Sequence, residues 1–487
     1  MTPLAERFLG SLAPAVSVPT YDRSRVRVGI VHLGVGGFHR SHQAMYLDRL
    51  MQSGLVGSAG APDWGICGVG VLPADRAMAE VMAAQDCLFT LVVKYPDGAL
   101  DARVVGSLVE YLYAPDDPDA VVEKMADPAT RIVSLTVTEG GYNASAVTGE
   151  FDGSNPGVVH DLQPGAALRT SFGLVVEALV RRRERGLPPF TVVSCDNIPG
   201  NGDLARRSYS AFAGLRDPEL GEWVATHVPF PNSMVDRITP VTSDDDRAEL
   251  AERFGVEDRW PVVCEPWTQW VLEDRFSSGR PPLEDAGVQV VDDVGPYELM
   301  KLRLLNAGHQ VLAHLGRLAG FEYVHEVAAD PLFRRLLTGY LHEEGTPTLP
   351  AVPGIDLAAY QGEVVARFSS PAIRDTLDRI RAEASDRIPQ FLLPVIRANL
   401  ASGGEIRRSV AVLAAWARTA EELELTDARA ERLRERARSE DPLAFVADRE
   451  LFGDLVDDER FTNAYREALA SLRARGARAT VETLLGP

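Results

Sequence analysis

A chain of 487 residues is long enough for two sizeable domains, each with its own core. With 45% apolar and 25% charged residues it has the composition of a soluble globular protein, which excludes disorder as its main state. Fifty Lys and Arg against seventy Asp and Glu leave a net charge of −20, which repels nucleic-acid backbones and anionic lipid surfaces.

Leu4, Phe8, Leu9 and Leu12 recur at helical spacing beside Glu6 and Arg7, and no basic stretch precedes them. They predict a short amphipathic helix rather than a secretory signal. Residues 26–33 form a β-branched apolar run that stops at Gly34, and a helical pattern follows through Ala44, Leu47, Leu50 and Met51 to Gly54. Residues 64–72 (WGICGVGVL) read as the next buried strand, with Asp75 just past its end and a helix from Arg76. Residues 131–137 predict a third strand, leading into Thr138, Glu139, Gly140, Gly141 and Tyr142. An amphipathic helix over 171–186 then precedes a strand over 190–194 that runs into Cys195, Asp196 and Asn197. This alternation predicts an α/β fold, with a Rossmann-type doubly wound domain over residues 1–295.

Beyond Pro296 strand-like runs become scarce. Helical patterns over 299–318, 375–384 and 408–425 predict a mostly α-helical domain over residues 296–487. The charged run at 428–439, with Glu and Asp nearby, reads as a solvated helix face. No apolar stretch approaches about eighteen residues, so no membrane span is predicted. No internal repeat is evident, and Cys67, Cys87, Cys195 and Cys264 form no C-x-x-C pair, which fits a reduced, cytoplasmic setting.

Gly34-Val35-Gly36-Gly37-Phe38-His39 follows a predicted strand and opens a predicted helix. In that context backbone N–H groups and the helix dipole can hold a pyrophosphate, making Gly34, Gly36, Gly37 and Phe38 candidate cofactor-binding residues; an ordinary tight turn is the competing reading. His39 replaces the third glycine of the usual fingerprint, so close helix–strand approach must be managed elsewhere. An acid past the second strand would accept ribose hydroxyls of NAD and repel a 2′-phosphate, and Asp75 is placed for this. It stands 39 residues beyond Gly36, which requires an extended connection around residues 53–63, and it could equally cap the helix at Arg76. Thr138 and Glu139 are further candidates for cofactor contact.

Lys301, Asn306 and His309 fall at about 0°, 140° and 80° around one helix, so all three can line one wall. A lysine there can serve as a base, with amide and imidazole neighbours to hold an alkoxide and a hydroxyl; a solvated surface lysine is the plainer alternative. Asn197, Asp236 and Arg379 are weaker candidates, each also explicable as a cap or a surface ion pair. No H-E-x-x-H, no Cys/His cluster and no G-x-S-x-G occurs, so neither a metal site nor a serine hydrolase is expected.

Five blocks carry a resemblance: HLGVGGFHRSHQA at 32–44, SLTVTEGGY at 134–142, SCDNIPGNG at 194–202, FPNSMVDRITP at 230–240 and MKLRLLNAGH at 300–309. Together they resemble the polyol-specific long-chain dehydrogenases over nearly the whole chain. That resemblance implies a Rossmann-type domain, a helical domain and an active site between them. It further implies a metal-independent, NAD(P)-linked enzyme acting as a monomer, while the net charge and the lack of a long apolar stretch predict no nucleic-acid or membrane partner. Lys301 would be the base, Asn197 and Asn306 would stabilise the alkoxide, and His309, Asp236 and Arg379 would bind polyol hydroxyls. Glu298 would gate proton exchange between the lysine and water. Family cofactor selectivity sits at Ala74-Asp75, where some members carry Glu-Asp; Ala74 departs from this, while Asp75 favours NAD, with NADP as a weaker alternative. FPNSMVDRITP and VPGIDL at 352–357 favour the members that interconvert D-mannitol and D-fructose. The alternatives are a hexuronate (fructuronate or tagaturonate) reductase, a D-arabinitol dehydrogenase and, from another class, a non-catalytic dinucleotide-binding sensor.

Overall fold

A computed structural model describes residues 1–54, 63–144 and 150–486. The chain divides into two compact units, Met1–Val294 and Gly295–Pro487. Most of the extended connection expected around residues 53–63 lies outside the described residues.

The first unit is built on β1 (Val28–Leu33), β2 (Gly65–Gly70), β3 (Leu108–Tyr113), β4 (Ile132–Leu135) and β5 (Thr191–Ser194). They lie in the order β3-β2-β1-β4-β5, and every neighbouring pair is parallel. Successive residues of the inner strands feed opposite layers, as the two-residue period requires. Ile30, Ile132 and Val193 pack with Leu47, Leu50 and Met82 on one face. Val31, Val133 and Val192 pack with Val121, Leu174 and Leu179 on the other. A sheet covered on both sides accounts for the near-continuous apolar runs that made these strands legible. The strand order reverses between β1 and β4, and in such sheets ligands bind outside the carboxyl ends at that point.

Three further sheets accompany this one among the described residues, the smallest a parallel pairing of Thr2–Pro3 with Val256–Glu257. Phe89–Lys94 pairs antiparallel with Leu100–Val105, flanked by Val262–Cys264 and Val16–Ser17. Ser233–Asp236, Gln269–Glu273 and Gln289–Val291 form the third. The amphipathic pattern at the start becomes a 3₁₀ turn at Glu6–Ser11, with Leu4 buried and Leu9 and Leu12 packed around it.

The regular elements among the described residues of the second unit are all helical, joined by turns and loops, with one isolated bridge between Tyr323 and Thr376. A helix entering at Gly295–Met300 widens into a π turn at Lys301–Asn306 and continues as α1 (Ala307–Leu318). It packs against α2 (Arg407–Glu422), which packs in turn against α3 (Glu459–Leu485), a helical stretch interrupted at Gly476 (φ 75°, ψ 178°), with Trp416 fully buried. The helix expected over 375–384 is confined to Leu377–Arg381, because Ala382 is extended at ψ 141°. The charged run forms a helix at Ala430–Ala437, and Arg429 and Arg432 pair with Asp386, Asp448 and Glu450.

The close approach that a third glycine usually allows is supplied from β2. A Cβ on Gly68 would lie 2.7 Å from Val35 of the glycine loop and 3.0 Å from the Tyr111 ring. Gly68→Ala is therefore expected to destabilise the protein by about 1–3 kcal/mol, as overpacked positions do. Denaturant unfolding should show a lower midpoint at unchanged slope; an unchanged midpoint would mean that Val35 and Tyr111 yield freely.

Candidate functional site

β1 ends at a turn that only glycine makes comfortably. Gly34 has φ +91°, and a Cβ there would stand 2.2 Å from the Thr136 carbonyl at the end of β4. Thr136 Oγ1 donates to the Gly34 carbonyl at 2.6 Å and lies 2.9 Å from His32 Nε2, while His32 Nδ1 lies 2.8 Å from Ser134 Oγ. The loop is thereby tied to the switch point. Gly36 precedes the first turn of the following helix, Gly37–Ser41, and a Cβ there would meet only the Gly34 carbonyl, at 3.9 Å. Its face is open for backbone N–H groups to approach an anionic group, so these residues fit a pyrophosphate.

His39, in the third glycine's place, is buried and stacks on His32 with ring centroids 3.5 Å apart. Neither of its ring nitrogens has a hydrogen-bond partner among the described residues. Burial holds both imidazoles neutral, pushing His32 down to about 3 and His39 well below the ordinary range. Next to it, buried Arg40 donates to the Gly36 carbonyl at 3.3 Å and to the Trp260 carbonyl. Burial lowers its pKa to about 10, so it remains a cation behind the loop.

Asp75 does not cap the helix Arg76–Ala84 with its side chain. Its Oδ2 instead accepts the Val71 and Leu72 N–H groups, each at 2.9 Å, shaping the loop after β2. Gly70 permits this, since a Cβ there would lie 2.8 Å from the Asp75 Cβ.

Thr138 and Glu139 are exposed after β4, and Thr138 has φ +64°, a strained conformation for a β-branched residue. Asp196 holds it there: Oδ1 accepts the Thr138 N–H at 2.8 Å, and Oδ2 accepts the Val137 N–H at 3.2 Å and the Tyr142 hydroxyl at 2.7 Å. Burial raises the Asp196 pKa. Asp196 thus joins the loop after β4 to the end of β5, where Asn197 is exposed. Sequence reasoning passed over Asp196 because its partners lie more than fifty residues away; an acid at a strand's carboxyl end was the one available signal. Asn201 was also missed: its amide reaches the carbonyls of Asp196 and Ser233 at 3.0 and 2.8 Å. Three residues past Ser233, buried Asp236 accepts the Trp267 indole N–H at 3.0 Å.

In the second unit, Lys301 and Asn306 are both buried at the two ends of the π turn. The Ala307 N–H bonds to the Leu302 carbonyl five residues back. Residues five apart in such a turn stand about one turn from each other, so Lys301 and Asn306 share a side more closely than the 140° of a regular helix implies. His309 follows on α1, stacked on Phe368 at 4.0 Å, and Glu298 is half-buried on the turn before. Arg379 is exposed, and two of its guanidinium N–H groups donate to the Asp375 carboxylate four residues earlier.

Among the described residues no group of three or more His, Cys, Asp or Glu side chains is arranged to hold a metal ion, and no helix is long and apolar enough to cross a membrane. All four cysteines are free and buried.

The mannitol dehydrogenase Rossmann domain profile matches residues 28–285, and the mannitol dehydrogenase C-terminal domain profile matches residues 293–473. A mannitol 2-dehydrogenase of Aspergillus fumigatus is 46% identical over 498 aligned positions, covering 98% of each chain. The solved Pseudomonas fluorescens mannitol 2-dehydrogenase, a ternary complex with NAD and D-mannitol, is 43% identical with a TM-score of 0.88 over 99% of both chains. A substrate-free D-sorbitol dehydrogenase is 37% identical with a TM-score of 0.92, covering 99% of this chain and all of that one.

The neutral imidazole of His32 predicts a pH effect on stability. Its folded pKa of about 3 lies below the unfolded value near 6.5, so between these limits unfolding takes up a proton and stability falls as pH falls. His32→Gln should flatten that slope by about 1.4 kcal/mol per pH unit between pH 6 and 4. Denaturant melts across this range measure it, and parallel slopes in parent and variant would contradict it.

Proposed function

The chain belongs to the mannitol dehydrogenase family, and from that membership we propose that it interconverts D-mannitol and D-fructose with NAD. It is an oxidoreductase of the polyol dehydrogenase type. The observation that carries the substrate is the likeness, over 99% of both chains, to a protein solved with NAD and D-mannitol bound. The open backbone face at Gly36 supports the cofactor.

Gly34, Gly36, Gly37 and Phe38 would hold the pyrophosphate, with the Arg40 charge behind them. The Val71 and Leu72 N–H groups both bond to Asp75 Oδ2, which leaves Oδ1 for the adenosine ribose hydroxyls, and the carboxylate disfavours a 2′-phosphate, so NADP is the weaker cofactor. Thr138 and Glu139 border the same site, in a loop whose shape Asp196 maintains. Bound NAD supplies the hydride acceptor for polyol oxidation.

The chain's own groups manage the proton and the developing charge. Lys301 takes the proton from the hydroxyl being oxidised and returns it in the reverse direction. Asn197 and Asn306 donate amide N–H groups to the alkoxide; two preorganised donors are worth about 3 kcal/mol each in a dry site. His309, Asp236 and Arg379 bind the remaining hydroxyls, Arg379 on exchanging its Asp375 contact for substrate. Glu298 exchanges the Lys301 proton with water. With an amine as base and amides as charge stabilisers, the proposed reaction needs no metal. The enzyme would act as a monomer in the cytoplasm. A second reading, a wider range that includes D-sorbitol, is favoured by the D-sorbitol dehydrogenase likeness.

The test is NADH oxidation by the purified protein with D-fructose, D-fructuronate and D-tagaturonate side by side, with and without EDTA. Fast turnover of D-fructose, unchanged by EDTA, is expected. Preference for a uronate would overturn the substrate assignment, and EDTA inactivation reversed by added metal would overturn metal independence. D-sorbitol oxidation with NAD, run alongside, decides the second reading.

A further inference from the structure

The residue after Asp75 carries a cation that the proposed cofactor reading does not use. Arg76 opens the helix that follows β2, and its guanidinium lies 4.7 Å over the ring of Tyr113 at the end of β3. Its two terminal nitrogens donate to the two carboxylate oxygens of Asp116, at 2.5 and 3.3 Å. Asp116 sits in the turn between β3 and the helix Pro118–Ala126, where its own N–H bonds to the Tyr113 carbonyl at 3.1 Å. The Tyr113 hydroxyl in turn donates to the Pro73 carbonyl at 3.1 Å, fastening this turn to the loop that carries Asp75. Asp75, Arg76, Tyr113 and Asp116 therefore all stand at the carboxyl ends of the parallel strands, the side on which such sheets bind ligands.

An arginine in this position is what a site would use to accept a 2′-phosphate, whose fork geometry it matches. Here the fork is already occupied by a carboxylate. We propose that Asp116 is a specificity-determining residue: by holding Arg76 and adding its own negative charge beside Asp75, it keeps Arg76 from serving the 2′-phosphate and so selects NAD over NADP. The inference rests on the dinucleotide-binding reading above and deepens it. Both side chains are more than half exposed, so the pair contributes little to stability and removing it leaves the fold intact. For the same reason the expected effect is that of a surface charge, several-fold in affinity and screened by salt.

The test measures binding rather than turnover. NADH and NADPH are titrated into the parent, Asp116→Asn and the double variant Asp116→Asn/Arg76→Met, with dissociation constants read by calorimetry at low and high salt. Asp116→Asn should shift the ratio of NADH to NADPH dissociation constants by roughly three- to tenfold toward NADPH at low salt. The shift should shrink at high salt and vanish in the double variant. A ratio unchanged in Asp116→Asn, in a protein that binds NADH, overturns the role of Asp116 alone. A shift that persists without Arg76 overturns the holding of Arg76. A parent that binds neither dinucleotide overturns this inference together with the cofactor reading beneath it.

Discussion

The first unit is organised around one close approach: the Gly34 turn pressed against the Thr136 carbonyl, where a single Cβ would fall 2.2 Å from a backbone oxygen. With no side chain at Gly34, the loop leaves β1 over the end of β4 and reaches its helix with the Gly36 face open. Much of what surrounds it serves that path. His32 and Thr136 hold the loop's carbonyl side, Gly68 gives Val35 its space, and Arg40 restrains the Gly36 carbonyl from behind. The cost is a buried imidazole stack that must remain neutral and a buried arginine that must remain charged.

A similar economy governs the second unit. A regular helix would separate Lys301 and Asn306 by about 140° around its axis. The π turn loosens the backbone ladder over six residues and brings the amine and the amide toward one side. The local irregularity coincides with the residues that carry the proposed chemistry, as is common for π turns. Asp196 plays a comparable part in the first unit by holding Thr138 in a conformation its own side chain disfavours.

How much of this was legible in the sequence follows from the range of the interactions. The inner strands of the parallel sheet and the glycine turn are written in local patterns of apolar runs and a glycine stop, and they were found. The hairpin of Phe89–Lys94 and Leu100–Val105 and the small sheet around Gln269–Glu273 were not anticipated, because each is completed by pairing with distant segments. The π turn has no residue signature, so the helical projection misjudged the Lys301–Asn306 angle. Asp75 showed its position but not its bonds: two backbone N–H groups of its own loop take one oxygen, a choice that spacing alone does not distinguish from a helix cap. The ties from Asp196 to Tyr142 and from Arg76 to Asp116 span 54 and 40 residues, beyond the reach of motif spacing.

The assignment of the proton to Lys301 is the centre of the chemical account, and Lys301→Ala tests it most directly when D-mannitol oxidation and NADH affinity are measured together, with and without added methylamine. The account predicts a loss of turnover of about 10²- to 10⁴-fold, the usual contribution of a general base, with NADH affinity retained and part of the rate restored by the free amine. Turnover close to the parent's, independent of methylamine, would contradict it.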